Sequence, residues 1–564
     1  YSFFYNIKQW CCDTERTEKI IDQQGKERLF PPLVSLDHDE FNPLEVYAYY
    51  LGLYINNMFN GIFLDYVLSF PVTFEKTVKE KITESFESGL RKSLPETIVH
   101  NEEIMGKFRV RQGISEPAAY AITALKNYKF EPEEDEKVLY GIFDFGGGTT
   151  DFDFGIWRAA DDSLREEESY DYVIEHFGSE GDKYLGGENL LELLAFEVFK
   201  ANAKKLQEGK YEENSAESVG FSFSLPKECS EFPGSETLIS NTQEARRNTK
   251  QLVEVLRPFW EGIISEADDV ENDNNAKKIY NGYCFDNSDN KFPIDDDGNI
   301  SVDLFDKDGN FQSGFKLSVK KESENIDVDL IKILSDRIER GVSSFFNAVN
   351  KAFDNTETDD EIQIFLAGNS SKSPIVKKIF EQYINKTNGD EKKHNNFVLF
   401  PPLGTEEAFI IQRKRGIEPD TGISAPTGKT GVAYGLIEGR EGGKIRVISE
   451  VRAESEAKFR YNIGIEKRGK FIMKLDRNEV EYGKWKRLVN AGKELEFYYT
   501  SLPDADKRPV DNPSVYLIHE QSEIDISSDI YIRAVSPSEI EYILSPQDSI
   551  PEDDANGILI KLGE

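Results

Sequence analysis

The chain has 564 residues, too many for one hydrophobic core, so at least two domains are expected. Apolar residues make up 38% of it and the formal net charge is −36, with acidic residues spread along the whole length. That balance fits a folded, well-solvated protein and argues against DNA or RNA as a partner, because phosphate would be repelled.

No apolar run approaches the roughly 20 residues of a membrane span, and no secretory leader is visible. Neither a membrane nor an export route is therefore expected. The chain begins at Tyr1 rather than Met, so an N-terminal piece is expected to precede it. Cys11, Cys12, Cys229 and Cys284 show no C-x-x-C spacing, and the five histidines are scattered. A reduced, cytoplasmic setting without zinc is the simplest fit.

In chain order, FNPLEVYAYYLGLYINNMF (Phe41–Phe59) is apolar at helical spacing, and FLDYVLSFPVTF reads as a strand ending near Pro71. SEPAAYAITAL predicts a helix capped by Ser115, with Pro117 in its first turn. KVLYGIFDF and TTDFDFGIW read as two strands separated by the triplet Gly146–Gly147–Gly148. LGGENLLELLAFEVF opens a helix after Gly186 and Gly187, with one apolar face. The stretch from about Glu266 to Glu324 is acidic, and its DDDGN and KDGN read as hairpin turns. A long amphipathic helix follows, then the strand–turn–helix EIQIFLAGNSSKSPIVKKIF with Pro374 behind Ser373, then a helix KTGVAYGLI expected to be buried. From Ile445 onward the texture changes to short alternating strands, which predicts a small β-rich domain. The expected division is 1–440 and 441–564.

Two familiar motifs fail on their spacing. PTGKT (Pro426–Thr430) lacks the first glycine of a phosphate-binding P-loop, since Ile423 stands there. DDDGNIS and KDGN lack the terminal carboxylates of a calcium loop, so hairpin turns are expected instead. The glycine triplet passes the same scrutiny. A plain hairpin needs only two turn residues, whereas here three glycines follow Asp144 and precede Thr149 and Asp151. Bare backbone admits a ligand closely, and consecutive amides form an anion nest. Carboxylates beside a phosphate require a cation between them, a role that Mg²⁺ fills while keeping several waters. The alternative is a flexible hairpin. Gly186 and Gly187 at a helix start make either an anion site or an ordinary turn. In LAGNSSKSP the serines make either a ligand loop or helix caps. Glu116 is either a first-turn helix charge or a site carboxylate.

Taken together and in order, these segments resemble the heat-shock protein 70 family, the DnaK-type chaperones. FDFGGGTTDF resembles the family's D-L-G-G-G-T-x-D, GISEPAAYAI its I-N-E-P-x-A-A-A-I, and GDKYLGGENL its G-D-x-x-L-G-G-E-D. LAGNSSKSPIV resembles the adenosine motif V-G-G-S-x-R-x-P-x-V, and GVAYGLI the closing helix. The resemblance runs from about Phe41 to Gly435. It implies an α/β ATPase domain of the actin/hexokinase (ribonuclease H-like) fold, two-lobed and actin-like, followed by a β-rich domain. It further implies ATP/ADP and Mg²⁺ as ligands. Gly146, Gly147, Gly148 and Thr149 would hold the phosphates. Asp144 and Asp151 would serve the magnesium shell or orient the attacking water, joined by Glu116 with Pro117 as switch. Gly187 would touch phosphate or ribose, and Gly368, Asn369, Ser370 and Lys372 would line the adenosine.

The sequence also departs from the family. The first phosphate loop, D-x-G-T/S, and the catalytic lysine of the same region are not found. Lys372 stands where arginine is usual, and a lysine stacks less well on a base. The adenine motif E-x-x-K-R finds its nearest match in TQEARRNTKQL, through Glu244, Arg247 and Lys250. The acidic segment reads as an insertion, and KIRVISEVRAESEAKF stands in place of the interdomain linker. YNIGIEKRGKFIMKLDR and DDANGILIKL resemble parts of the family's peptide-binding domain.

The expectation is an ATP-binding chaperone acting on an unfolded or extended peptide client or a dedicated protein partner, with co-chaperones. The rivals are a nucleotide-binding scaffold without turnover and a small-molecule kinase on the same fold.

Overall fold

The computed structural model describes the chain outside residues 1–6, 13–16, 22–26, 38–39, 59–60, 73, 75, 135, 167, 183, 209–219, 227, 267–276, 289–290, 354–360, 389–395, 450–458, 460, 478–479, 481–482, 491–494, 502–504, 506–508, 513–514, 521–527, 537–538, 547–548, 552–554, 556 and 563–564. The segment expected to replace the linker therefore lies largely outside the described residues, as does part of DDANGILIKL.

A short helix, α1 (Ile7–Cys12), is followed by α2 (Pro43–Met58), which packs on α3 (Lys76–Lys92). Small residues let these two helices meet closely: a methyl group on Gly89 would stand 2.2 Å from the Glu45 carbonyl. β1 (Asp65–Leu68) pairs in parallel with β2 (Arg109–Gln112). α4 (Glu116–Asn127) begins where the sequence places it, with Ser115 Oγ accepting from the Ala118 amide.

The runs on either side of the glycines form β3 (Lys137–Phe145) and β4 (Thr150–Ala159), antiparallel, with Asp144 opposite Asp151 and Phe145 opposite Thr150. β5 (Tyr172–Asp182) pairs antiparallel with β4. After it come α5 (Gly187–Ala201), α6 (Gln243–Glu261), the hairpin of β6 (Asn299–Phe305) and β7 (Phe311–Ser318), and α7 (Leu330–Phe353). The order then runs β8 (Ile362–Ala367), α8 (Pro374–Asn388), β9 (Phe397–Phe400), α9 (Gly431–Glu438) and β10 (Ile445–Ser449).

The central sheet has six strands in the order β9-β8-β3-β4-β5-β10. It is mixed: β9, β8 and β3 are parallel, β4 is antiparallel to both its neighbours, and β10 is parallel to β5. Both faces are covered, so β3 and β4 are buried at nearly every position, Asp151 and Asp153 of β4 included. On one face Phe143 and Phe152 meet Phe345 of α7 edge-on at 5.5 and 5.4 Å. On the other, Tyr140, Ile142 and Trp157 pack with Tyr120 and Leu125 of α4.

A separate β-rich region follows, made of β11 (Asn462–Lys467), β12 (Lys470–Leu475), β13 (Lys486–Asn490), β14 (Leu495–Thr500), β15 (Tyr516–Glu520), β16 (Ser528–Ser536), β17 (Glu539–Pro546) and β18 (Ile558–Lys561). These form two four-stranded sheets, β12-β11-β14-β15 and β13-β16-β17-β18. Ile463 and Phe497 of one sheet share a core with Ile530 and Ile540 of the other.

Three expectations are corrected. β10, the start of the segment expected to stand in place of the interdomain linker, closes one edge of the central sheet, so the sheet runs past residue 440. α9 is not buried throughout. Gly435 presses so close to α4 that a methyl there would overlap the Ala119 carbonyl, while Tyr434 and Ile437 face outward, 38% and 56% exposed. Of the two turns in the acidic segment, KDGN joins β6 to β7, whereas DDDGN leads into β6 with no described strand before it. That segment is also wired into the main core: Ile300, Val302, Leu304, Phe315 and Leu317 belong to it, and buried Asn248 of α6 accepts from the Phe305 amide at 2.7 Å.

Candidate functional site

The triplet forms the tip of the β3–β4 hairpin, closed by the Gly146 amide donating to the Thr149 carbonyl at 3.0 Å. Two of its three carbonyls are taken up by neighbouring segments. Gly146 O accepts from the Gly187 amide at 3.1 Å and from Ser370 Oγ at 3.0 Å, and Gly147 O accepts from the Glu188 amide at 2.8 Å. With the carbonyls turned toward α5, no described atom accepts from the amides of Gly147, Gly148 or Thr149. Three successive free N–H groups on a bare turn are the donor set of an anion nest. Gly147 is exposed, its φ is not positive, and a methyl group there would meet nothing within 4 Å. Neither conformation nor packing inside the protein calls for glycine at this position, and the turn is open on this side.

The acids stand beside this turn. Asp144 and Asp151 face each other across β3 and β4, an arrangement that like charges oppose. Asp151 is 2% exposed, and it accepts from Thr149 Oγ1 at 3.0 Å and from the Val72 amide at 3.0 Å. Burial and the neighbouring Glu116 and Asp151 push the Asp144 carboxyl up to about 8, with Lys8 partly offsetting them. Burial and Glu116 push Asp151 up to about 6, against the pull of Lys8, Thr149 and Val72.

Lys8, on α1, is the residue the sequence missed. Its Nζ lies 3.1 Å from both carboxylate oxygens of Glu116. Burial opposes its charge, but Glu116, Asp151 and Asp144 outweigh that and hold its pKa above the ordinary lysine value. A lysine thus stands at this site, 108 residues before its partner, although the sequence search found no match to the family's catalytic lysine. α1 is only IKQWCC, with no glycine or acid pattern to mark it in the sequence.

The remaining expected residues divide. Gly187 sits at the helix start as predicted, but its amide and that of Glu188 are already bound to the triplet carbonyls rather than open to an anion. A methyl on Gly187 would lie 2.8 Å from Ser370 Oγ and 3.3 Å from Trp260 Nε1. Gly368, at φ +79°, is wedged against β3, where a methyl would lie 2.2 Å from Phe145 O and 2.7 Å from Asp144 Oδ1. Ser370 is buried on Gly146, whereas Asn369 and Lys372 stand exposed at the rim, without a described contact to the carboxylates. The serines do not cap α8: Ser371 Oγ and Ser373 Oγ are buried with no partner among the described residues.

Arg247 of α6 lies over the Phe305 ring, 5.2 Å from its centroid. The far end of the same helix approaches Gly187 instead, where Arg257 grips Glu188 through both nitrogens at 2.6 and 2.9 Å and Trp260 stands beside Ser370 and Phe145. Glu254 and Arg257 have the same acid–basic spacing as the first part of E-x-x-K-R, and two hydrogen bonds join them at 3.0 and 3.2 Å. Beneath α5, Asp182 at the end of β5 caps the Tyr184 amide and pairs with buried Arg337, which also holds Glu228.

Among the described residues no three His, Cys, Asp or Glu side chains gather closely enough to cage a bare metal ion. Asp144 and Asp151 nevertheless fit a Mg²⁺ that keeps its water and is held by one or two carboxylates and by phosphate. They are hard oxygen donors, and burial, then the carboxylates around them, raises their pKa values. No described helix is long and apolar enough to cross a membrane. Neither a scan against protein-family models nor a search of the curated proteins found a match to this chain.

Proposed function

We propose that the protein binds ATP as its magnesium complex at the β3–β4 turn, in an actin-like, heat-shock protein 70-like ATPase unit, and hydrolyses it to ADP and phosphate. What carries the reading is the juxtaposition of three unpaired amides at Gly147, Gly148 and Thr149 with Asp144 and Asp151 on the adjoining strands. The amides donate to phosphate oxygens. Lys8 adds positive charge where charge builds up in phosphoryl transfer. Mg²⁺, when bound, supplies charge neutralisation for the phosphates. Asp151, titrating near 6, is ionised at neutral pH and close enough to it to take a proton from an attacking water. Thr149 Oγ1 and the Val72 amide hold that carboxylate in one orientation. The β-rich region takes an extended peptide of a client or dedicated partner by adding a strand at a sheet edge.

The test is equilibrium binding of Mg·ATP to the full chain, followed by single-turnover hydrolysis with Asp144→Asn as control. Binding with turnover that the substitution abolishes is expected. Binding without turnover would favour a scaffold, and transfer of phosphate to a sugar would favour a kinase. No binding at all would end the nucleotide reading.

A further inference from the structure

α2 carries a single charge, Glu45, in sixteen residues. At 100° per residue its side chains separate into two arcs. Leu44, Ala48 and Gly52 are buried, on the side where Gly89 and Ser93 close in. The outward arc carries Val46, Tyr50, Leu53 and Tyr54 around the exposed, uncharged Asn57, with Tyr47 and Met58 at its flanks; all are exposed, Tyr50 and Tyr54 by 65% and 62%, and Tyr47 also meets Phe86 of α3 edge-on at 6.2 Å. Apart from Asn57 and the tyrosine hydroxyls, the half of this helix that faces outward is apolar, where a surface helix ordinarily carries charged and polar residues.

The open area is large. With about 200 Å² for an aromatic side chain, the three tyrosines alone leave about 350 Å² uncovered, the size of the largest patch on an ordinary monomer. The Phe63 amide donates to Asn56 Oδ1 at 3.0 Å, which folds a further exposed aromatic, 46% exposed, against the end of the same helix.

We propose that this face pairs with the same face of a second copy of the chain, α2 against α2 about a two-fold axis. Area and charge both favour that occupant. The face offers about 600 Å² per copy, so two copies bury about 1,200 Å², the lower bound of a specific interface. The chain carries −36, and any approach through its general surface sets like charges together. This arc has none. Glu45, at its margin, is neutralised by Lys92, and charges beyond about 8 Å are screened at physiological salt. A two-fold contact is self-complementary, so tyrosine stacks on tyrosine. An anionic lipid surface would need cations, and the arc carries none.

The experiment is sedimentation of the full chain between about 1 and 100 µM, at roughly 50 and 500 mM salt, beside a Tyr50→Glu/Tyr54→Glu variant. Both side chains are mostly exposed, so the variant keeps its fold, which near-ultraviolet circular dichroism verifies. A two-chain mass for the wild type is expected, with association tightening as salt rises and the variant staying at one-chain mass throughout. A wild type that remains a single chain at the highest concentration overturns the proposal. Hydroxyl-radical labelling of Tyr50 in that monomer then tells whether the chain's own segments cover the face or a different protein must. A two-chain species that the variant leaves intact overturns it equally.

Discussion

Gly186 and Gly147 lie within 40 residues of each other and look alike in sequence, but they should respond in opposite ways to a single methyl group. At Gly186, φ is −143°, extended backbone that alanine adopts freely, so any cost comes from contact alone. Its methyl would stand 2.4 Å from the Gly148 carbonyl carbon and 2.5 Å from Gly147 O. Those atoms are backbone, so α5 must retreat by about 1 Å to restore ordinary contact. That retreat breaks the hydrogen bonds from the Gly187 and Glu188 amides to the triplet. Two bonds at roughly 1 kcal/mol each, plus about 1–3 kcal/mol of overpacking, give about 3–5 kcal/mol for Gly186→Ala. Gly147→Ala meets nothing within 4 Å, and its cost should stay within about 1 kcal/mol. Its methyl nevertheless fills the open side of the turn, so affinity for Mg·ATP should fall at least tenfold. Urea denaturation gives the first pair of numbers and calorimetric titration the second. A Gly186→Ala protein as stable as wild type would refute the docking of α5 on the turn. A Gly147→Ala protein that binds nucleotide normally would refute the turn as the ligand's seat.

Three further outcomes are expected. Asp144 and Asp151 titrate above the ordinary value of 3.8, so the folded chain holds protons there that the unfolded chain has released; stability should fall as pH rises through about 6 and then about 8, and Mg²⁺ should raise the melting temperature more at pH 8.5 than at pH 5, with an equal shift at both refuting a cation seat at these acids. Lys8→Met should lower single-turnover hydrolysis by about 10²-fold while leaving Mg·ATP affinity within a few-fold, and unchanged turnover would reduce the Lys8–Glu116 contact to a surface ion pair. Arg337→Met strands buried Asp182 and Glu228 and should cost about 3–5 kcal/mol in urea denaturation, a loss below 1 kcal/mol meaning that the loop before α5 does not depend on the triad.

What could be read from the sequence was whatever local chemistry controls. The β3–β4 hairpin announces itself because two runs rich in aromatic and apolar residues flank the glycines. α4 announces itself through Ser115 and Pro117. Contacts set by distant parts of the chain were not legible. Lys8 reaches Glu116 only because α1 folds back onto the site. The pairing of β10 with β5 depends on an edge left open by other strands, so a strand like Ile445–Ser449 looks no different from those of the β-rich region. The E-x-x-K-R search settled at the N-terminal end of α6, because only the packed helix reveals that Arg257 and Trp260 are the end nearest Gly187. α9 misled for the opposite reason: its glycines make the closest contact with α4, while the larger Tyr434 and Ile437 face outward.

The hydrogen bonds that hold the Gly146 and Gly147 carbonyls against Ser370 and α5 have a kinetic meaning as well. A free glycine loop would sample many orientations, and an arriving anion would wait for the few with all three amides pointing the same way. Here the chain has spent that entropy during folding. Association at this turn should therefore proceed in one step at a rate linear in ligand concentration, with no slow phase from rearrangement of the loop.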